Sequence, residues 1–341
     1  MILIRADANE HIGTGHVMRC LSIARAFVNK GEEVKFITAD HRGDSLIQNG
    51  GFDLVCLDSE WTDMDEELDQ LIGLIKEAKP LLILIDSYYV TEKYLSSISD
   101  IVRTVYMDDL NSACWNVDVL INYNIFSSVF DYIEYEETRT KLLLSPKYAP
   151  LRSEFINCHV HEIKDVSDIL ISAGGSDPER ITEKIMSICP HVSEDITFHF
   201  IVGALNPRLN DIKNIASEQK NVVLHINERK MSDLMEKCDM AISAAGVTLY
   251  ELCACGVPTI TYTLADNQIL AAEQFDKLGI MVSAGDCRGD DCFVERLTTI
   301  IKNIIDNYDL RLKMSKRMQL LVDGNGADRI VCESMLKGEN N

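Results

Sequence analysis

The segment Gly13-Thr14-Gly15-His16 places an imidazole directly behind two closely spaced glycines. An apolar, strand-like run over residues 2–6 precedes it, and a helical pattern of apolar residues follows it. A glycine-rich turn from a strand into a helix offers backbone N–H groups and the positive end of the helix dipole to an anion such as a phosphate. His16 would then take a proton beside a bound phosphate ester, or it would simply cap the helix. The spacing alone favours neither role.

Two further turns rich in small residues lie in the second half of the chain. The first, Ser172–Pro178, ends an apolar run and has a proline near the start of the next helix. The second, Ser243–Glu251, has Ala-Ala-Gly ahead of a helical pattern, so a ligand could approach its backbone closely. Glu251 could accept hydrogen bonds from two ribose hydroxyl groups, or it could face solvent. Neither turn is a Walker motif, and the glycines of the first half lack the pattern of an NAD site.

Acidic side chains follow several of the apolar runs in the first half. Asp86 ends one run, and the pair Asp108-Asp109 follows the next. Single carboxylates in such places commonly cap helices. Three of them, together with His16 at neighbouring strand ends, could instead form one polar rim. Carboxylates also bind Mg²⁺, but nothing in the spacing defines a ligand set, so we expect no metal and no cofactor.

The elements that would position these residues alternate along the chain, as is typical of parallel βαβ units. The predicted strands are 2–6, 33–38, 53–57, 81–86, 104–107 and 117–122, and then 168–172, 197–202, 222–226, 240–243 and 259–263. From about residue 290 onward the pattern predicts helices only. The sequence therefore predicts an α/β protein with two Rossmann-like domains and an active-site cleft between them.

The 341 residues suffice for two domains, each with its own core. A proline-containing segment of mixed polarity, 145–161, interrupts the alternation and predicts the connection between the domains. We expect a first domain over residues 1–150, a second over residues 160–325 and a helical tail over residues 326–341.

Composition excludes several classes of partner. The 33 basic and 54 acidic side chains give a formal charge of −21, which repels nucleic acids and anionic membranes. The 11 cysteines are scattered, odd in number and without a C-x-x-C pair, which indicates free thiols in a reducing compartment. The pattern of the first residues predicts no secretory leader, and no apolar run reaches the length of a membrane span. We expect a cytoplasmic, monomeric protein that binds neither nucleic acid nor membrane.

Seven segments of the chain occur in the order seen in one family of enzymes. They are IRADANEHIGTGHVMRCLSIA, LLILIDSYYV, VYMDDL, INYN, SPKYAPLRSEF, ILISAGGSDP and AISAAGVTLYELCACGVPTITYTLADNQ. In these segments, which lie within about residues 1–280, the chain resembles the UDP-2,4-diacetamido-2,4,6-trideoxy-β-L-altropyranose hydrolases of pseudaminic acid biosynthesis. That family is related to the MurG-like glycosyltransferases, and the resemblance implies the GT-B fold.

The resemblance implies that water attacks the anomeric carbon of a UDP-sugar, that the C–O bond breaks and that UDP leaves without help from a metal. It implies that His16 is the general base or orients the water, with the diphosphate at the turn 245–248 and the ribose at Glu251. Together with strand-end position it suggests sugar or phosphate contacts for Asp7, Gly13, Gly15, Arg19, Asp86, Tyr88, Asn122, Tyr148 and Arg152. The expected UDP contacts are Gly174, Ile226, Ala245, Gly246, Val247, Thr248, Glu251 and Asn267.

Three other functions fit the same motifs. An inverting GT-B glycosyltransferase would use an acceptor hydroxyl where the hydrolase uses water, and a non-hydrolysing UDP-sugar epimerase would share the architecture. A non-catalytic sugar-nucleotide-binding protein would keep the turn before Glu251 but would not need His16. Release of UDP without an acceptor or a metal distinguishes the hydrolase from these alternatives.

Overall fold

The computed structural model describes residues 1–158, 162–174, 177–203, 206–228 and 230–336. It forms two compact units, one made of Met1–Ser153 with Asn325–Asn341 and the other of Glu154–Gly324. Gly175 and Ser176 of the first predicted glycine turn lie outside the described residues, as do residues 337–341 of the predicted tail. None of the helices in the described ranges combines the length and apolar composition needed to cross a membrane.

The first unit is built on a seven-stranded parallel sheet with the order β3-β2-β1-β4-β5-β6-β7. Its strands are β1 (Ile2–Ala6), β2 (Val34–Thr38), β3 (Asp53–Cys56), β4 (Leu82–Asp86), β5 (Thr104–Met107), β6 (Val119–Asn122) and β7 (Lys141–Leu144). All residues of the central strands β1 and β4 are buried, as expected for a parallel sheet covered on both faces. The order reverses between these two strands, which makes their carboxyl ends the switch point where such sheets bind ligands.

Four helices of the first unit connect these strands, namely α1 (Gly15–Asn29), α2 (Asp44–Asn49), α3 (Met64–Ala78) and α4 (Glu92–Ser99). In α3 three acidic residues in the first turn interact favourably with the helix dipole, and Leu68, Leu71 and Ile75 form its buried face. In α4 the hydroxyl of Thr91 accepts a hydrogen bond from the N–H of Tyr94, which caps the helix. These helices cover the sheet and leave its carboxyl edge to the connecting loops.

The second unit repeats this design with a six-stranded parallel sheet of order β10-β9-β8-β11-β12-β13. Its strands are β8 (Asp168–Ser172), β9 (Thr197–Val202), β10 (Val222–Ile226), β11 (Met240–Ala244), β12 (Thr259–Thr263) and β13 (Val282–Asp286). Its helices are α5 (Ile181–Val192), α6 (Leu209–Ser217), α7 (Met231–Lys237), α8 (Thr248–Cys255), α9 (Ile269–Lys277), α10 (Phe293–Ile305) and α11 (Tyr308–Leu321). The order reverses between β8 and β11, so this unit has its own switch point.

The last helix, α12 (Gly326–Met335), belongs to the first unit, where it contacts α1 and the 3₁₀ turn Pro146–Tyr148. A Cβ atom on Gly326 would lie 2.1 Å from the carbonyl oxygen of Ala149, so only glycine permits this approach. The apolar face of α12 is buried, with Ile330 fully covered. The segment expected to form a separate tail is therefore packed on the first sheet's unit, because this face needs a partner.

The α/β class and the two Rossmann-like sheets are confirmed, while two strands were missed. Both β7 and β13 are edge strands, and each is only partly buried. β13 reads Val-Ser-Ala-Gly-Asp, without the apolar run that identifies a central strand. The 11 cysteines are free thiols, as predicted.

Candidate functional site

An Asp–His pair lies at the switch point of the first sheet. Asp86 is the last residue of β4, and His16 is the second residue of α1, which follows the neighbouring strand β1. The Nδ1 atom of His16 lies 2.6 Å from Oδ1 of Asp86, and both side chains are buried. Since an ionised carboxylate only accepts hydrogen bonds, Nδ1 carries the proton and the lone pair is on Nε2. Among the described residues Nε2 has no hydrogen-bond partner.

Arg19 holds the carboxylate of this pair from the other side. It lies three residues after His16 on α1, so the two side chains share one face of the helix. Its Nε donates to Oδ2 of Asp86 at 2.6 Å, and its Nη2 donates to Oδ1 at 2.5 Å. Burial alone would raise the pKa of Asp86, but the charge of Arg19 and the contact with His16 outweigh it and hold that pKa well below its usual range. Asp86 therefore stays ionised, and its lowered pKa makes it a weak base.

Asp109 extends the cluster along the ends of β4, β5 and β6. It accepts a hydrogen bond from Nη1 of Arg19 at 2.8 Å, from the hydroxyl of Tyr88 at 3.1 Å and from the amide of Asn124 at 2.7 Å. The hydroxyl of Tyr123 also accepts from Arg19, at 3.2 Å, and burial raises the pKa of Tyr123 to about 12. Three strand ends thus supply one continuous network of polar side chains.

The two aspartates that follow β5 have different hydrogen-bond partners. Asp109 joins the network, whereas Oδ1 of Asp108 accepts the backbone N–H groups of Leu110 and Asn111, both at 2.9 Å, and shapes the loop. Burial raises the pKa of Asp108 above its usual value. Within the described part of the chain, the one group of three side chains spaced to hold a metal is elsewhere. It is formed by His41, Cys56 and Asp58.

Several residues that were predicted to contact the sugar form hydrogen bonds or ion pairs within the protein. Oδ1 of Asp7 accepts the N–H of Ala39 at 2.7 Å, and Oδ2 pairs with the fully buried Arg5 at 2.6 Å. Asn122 donates to the hydroxyl of Tyr132 at 3.0 Å and is itself buried. These two residues support the loops at the sheet edge.

Two predicted contacts belong to the segment that follows β7. Tyr148 is buried at the end of the 3₁₀ turn against which α12 packs, and Arg152, a few residues later, is partly exposed.

The loop between β1 and α1 is closed on itself. The backbone of Asn9 exchanges two hydrogen bonds with Gly13, and its side chain accepts the N–H groups of His11 and Ile12. Gly13 has a φ of +71°, a conformation that favours glycine. The side chain of Thr14 makes no capping hydrogen bond, so the first N–H groups of α1 stay open to an anion.

In the second unit a cavity of about 240 Å³ lies at the ends of β8, β11 and β12. Binding pockets for whole ligands typically measure roughly 300–1,000 Å³, so this volume suits part of a nucleotide. The lining brings together three predicted UDP contacts with residues that were not predicted. The predicted ones are Gly174, Gly246 and Thr248, and the others are Ser172, Ala173, Asp177, Pro178, Ala244, Leu264, Ala265 and Gln268.

The turn before α8 leaves its backbone accessible. A Cβ atom on Gly246 would meet no atom within 4 Å, and the φ of Gly246 is not in the left-handed region. Neither packing nor backbone geometry within the protein therefore requires glycine at this position. No side chain caps α8 in the described structure, so the N–H groups at the start of this helix have no side-chain partner there. A small residue followed by an open helix start suits close approach of a phosphate.

The other predicted UDP contacts are not among the residues that line this cavity. Ile226 ends the edge strand β10 and is 38% exposed, and Asn267 is exposed in a 3₁₀ turn. The N–H of Ala245 donates to the carbonyl of Tyr262, which joins β11 to β12. Val247 has an exposed side chain, and Glu251 is partly buried one turn into α8.

Sequence reasoning missed residues whose positions become clear only in the sheet. In the first unit these are Tyr123 and Asn124 as members of the network around Asp109, although the segment INYN contains both. In the second unit Asp177 accepts the N–H groups of Ile181 and Thr182 and so caps α5 beside the cavity. The aspartate ahead of a helical pattern was the available signal.

Three curated proteins are similar in sequence to this chain. The UDP-2,4-diacetamido-2,4,6-trideoxy-β-L-altropyranose hydrolase of Campylobacter jejuni is 26% identical over 73% of this chain and 86% of its own length. The spore coat polysaccharide biosynthesis protein SpsG of Bacillus subtilis is 24% identical over 96% of this chain and 95% of its own length. An uncharacterised protein of Methanocaldococcus jannaschii is 26% identical over 76% of this chain, which spans 54% of that protein's length. No protein-family model matches the chain.

Solved structures of glycosyltransferases share the fold. MurG from Acinetobacter baumannii superimposes with a TM-score of 0.68 over 97% of this chain and 98% of its own, at 13% identity. The calicheamicin glycosyltransferase CalG4 has a TM-score of 0.65 over 100% of this chain and 99% of its own, at 14% identity. The chain therefore has a GT-B-like α/β fold and resembles the diacetamido-sugar hydrolases in sequence.

Proposed function

We propose that this protein hydrolyses a UDP-linked diacetamido-trideoxy sugar at its anomeric C–O bond and releases UDP and the free sugar. The named hydrolase from Campylobacter supports the substrate class. The observation that carries the reaction type is the 2.6 Å contact between Asp86 and Nδ1 of His16, which leaves Nε2 without a partner among the described residues.

In the proposed reaction Nε2 of His16 takes a proton from the attacking water. The water oxygen bonds to C1 of the sugar, the C1–O bond breaks, and its electron pair stays on the β-phosphate of UDP. Asp86 fixes the tautomer and stabilises the imidazolium that forms, while Arg19 keeps Asp86 ionised. A positioned base of this kind contributes about a hundredfold to ten-thousandfold in rate.

We propose that the second unit binds UDP through the cavity at the ends of β8, β11 and β12. The open N–H groups at the start of α8 would bind the diphosphate and stabilise the charge that develops on the leaving group. Glu251, one turn further along α8, remains our candidate for the ribose hydroxyl groups.

The test replaces the base and follows the bond that breaks. We expect His16→Asn to lower turnover by about a hundredfold to ten-thousandfold while UDP affinity, measured by calorimetry, stays unchanged. The exposed His191, changed to Asn in α5, is the matched control and should retain full activity. In ¹⁸O-water the label should enter the sugar and not UDP.

Each result that contradicts the proposal has its own interpretation. Label in the released phosphate would show attack at phosphorus and overturn the C–O assignment. A fully active His16→Asn variant would overturn the base. UDP release that depends on an added alcohol acceptor would identify a glycosyltransferase, and tight binding without turnover would identify a binding protein.

A further inference from the structure

Loops at the carboxyl edge of the first sheet bring four aromatic rings together beside the proposed base. We call His11, Trp61, Tyr88 and Tyr89 the aromatic ledge. The rings of Tyr88 and His16 meet edge to face, with centroids 4.6 Å apart. Tyr89 follows directly in the chain and meets Trp61 edge to face at 5.0 Å, and Trp61 stacks on His11 at 6.1 Å. The loops after β1, β3 and β4 thus each supply part of one surface.

The ledge is exposed, unlike the core aromatics of the same unit. Tyr88 is 38% and Tyr89 39% exposed, and Trp61 is partly exposed. By contrast, Trp115 is only 7% exposed and packs on Tyr106 in the hydrophobic core. A set of exposed aromatic rings, one of which contacts a polar reactive group, is typical of a binding site for a partly apolar ligand.

The charges around the ledge pair with one another. The guanidinium of Arg42 lies 5.9 Å from the centre of the Trp61 ring. It is engaged by Asp40 at 2.6 Å and by Glu10 at 3.3 Å, so it is not an open site for a ligand anion. The ring faces and edges of the ledge therefore suit methyl groups better than a carboxylate.

We propose that the aromatic ledge binds the methyl groups of the sugar and that Trp61 determines specificity for an N-acetylated, deoxygenated sugar. The proposal rests on the substrate part of the proposed function. A diacetamido-trideoxy hexose carries two acetyl methyl groups and the methyl group at C6. These groups distinguish it from common hydroxylated hexoses, and the ledge lies beside the base that must face its anomeric carbon.

The chain allows a direct optical test because it contains only 2 tryptophans. In a Trp115→Phe, His16→Asn variant, Trp61 is the sole indole and the sugar nucleotide is not consumed. UDP-2,4-diacetamido-2,4,6-trideoxy-β-L-altropyranose should change the emission of Trp61 saturably, whereas UDP alone should not, although calorimetry detects both bindings. Binding of the sugar nucleotide without an emission change, or an equal change with UDP, would overturn the ledge.

Kinetics supply the second test. We expect Trp61→Ala to raise KM for this substrate by about tenfold with kcat nearly unchanged, and Trp61→Phe to restore most of the loss. Tyr308→Ala, an aromatic that is 48% exposed at the start of α11, is the matched control. An unchanged KM in Trp61→Ala, or the same rise in Tyr308→Ala, would overturn the proposal.

The two proposals can fail separately. If Trp61 senses the sugar nucleotide but the wild-type protein does not hydrolyse it, the ledge stands and the reaction is wrong. If the wild-type protein hydrolyses the sugar nucleotide but the emission of Trp61 does not change on binding, the proposed reaction stands and the proposed role of the aromatic ledge is wrong. If calorimetry detects no binding of the sugar nucleotide, the substrate class is wrong and the ledge assignment falls with it.

Discussion

The two switch points of this molecule occupy the same place in two similar sheets, but the residues that form them differ in character. Between β1 and β4 the first unit has charged side chains that bind one another, with Arg19 joined to both Asp86 and Asp109. Between β8 and β11 the second unit has glycine, alanine and an uncapped helix start around a cavity. One topology therefore places paired charged side chains at the switch point of one unit and an open backbone turn at the switch point of the other.

The two switch points also differ in the free-energy cost of burying their polar groups. Burying the Arg19–Asp86 pair carries a desolvation penalty that a close ion pair only partly offsets, so the pair is weak evidence for stability and better explained by the orientation of His16. The open turn of the second unit buries no ion pair and carries no such penalty. This contrast leads to predictions that distinguish residues proposed to act in catalysis from residues that support the fold and from residues proposed to bind UDP.

The largest effect should come from Asp86→Asn. It leaves Arg19 and His16 without their shared anion, and we expect turnover to fall by on the order of ten-thousandfold. The free energy of unfolding should fall by about 3–5 kcal/mol, as when a buried ion pair loses one partner. Steady-state kinetics at saturating substrate and urea denaturation measure the two quantities.

Glu67→Gln is the matched control for this change. Glu67 is a buried carboxylate of the same unit and pairs with the buried Arg5 at 2.7 Å. Its replacement should destabilise the protein by a similar amount while the folded fraction keeps its turnover. Equal losses of turnover in the two variants would show that Asp86 acts only through stability.

The next effect concerns the open turn of the second unit. Gly246→Ala adds a methyl group where the protein itself leaves space, so folding should be preserved or stabilised by about 0.4–1 kcal/mol. If the diphosphate approaches this backbone, UDP affinity should fall by about 1–3 kcal/mol, measured by calorimetry. Gly73→Ala in α3, which also meets no atom within 4 Å, should leave UDP binding unchanged. Unaltered UDP affinity in Gly246→Ala would remove the diphosphate from this turn.

A smaller effect is expected from pH. Because the folded state depresses the pKa of Asp86, its contribution to stability is complete above the unfolded value of about 3.9 and is lost as pH falls toward the folded value. The difference in unfolding free energy between wild type and Asp86→Asn should therefore not shrink between pH 7 and about pH 5 and should shrink below about pH 4. A difference that shrinks already between pH 7 and pH 5 would contradict an ionised Asp86 with a depressed pKa.

The smallest effect should come from chelation. The carboxylates of Asp86 and Asp109 already accept hydrogen bonds from Arg19 and its neighbours, so we expect EDTA to leave UDP release unchanged. Dialysis against EDTA followed by an assay with and without Mg²⁺ measures this. A loss of activity that Mg²⁺ restores would make the acidic rim a metal site and erase the contrast between the two units.

Much of the secondary structure of both units could be predicted from the sequence, because strand, helix and turn patterns depend on residues that are neighbours in the chain. Alternating apolar runs predicted both parallel sheets, and the glycine turns identified both switch points, with His16 at one of them. The edge strand β13 carries a weak apolar signal, which is why it was missed. The short apolar run of β7, Lys-Leu-Leu-Leu, was overlooked. The helix α12 has a clear amphipathic pattern, but nothing local states which surface covers its apolar face.

By itself the sequence determined the α/β class, the open turns and the presence of a histidine where a strand passes into a helix. Only the tertiary structure decided that Asp86 orients His16, that Asp109 rather than Asp108 joins Arg19, and that Asp7 is engaged by Arg5 and Ala39. Spacing places a carboxylate at a strand end, but its partner comes from another strand dozens of residues away. The order and register of the strands, which long-range pairing establishes, select that partner.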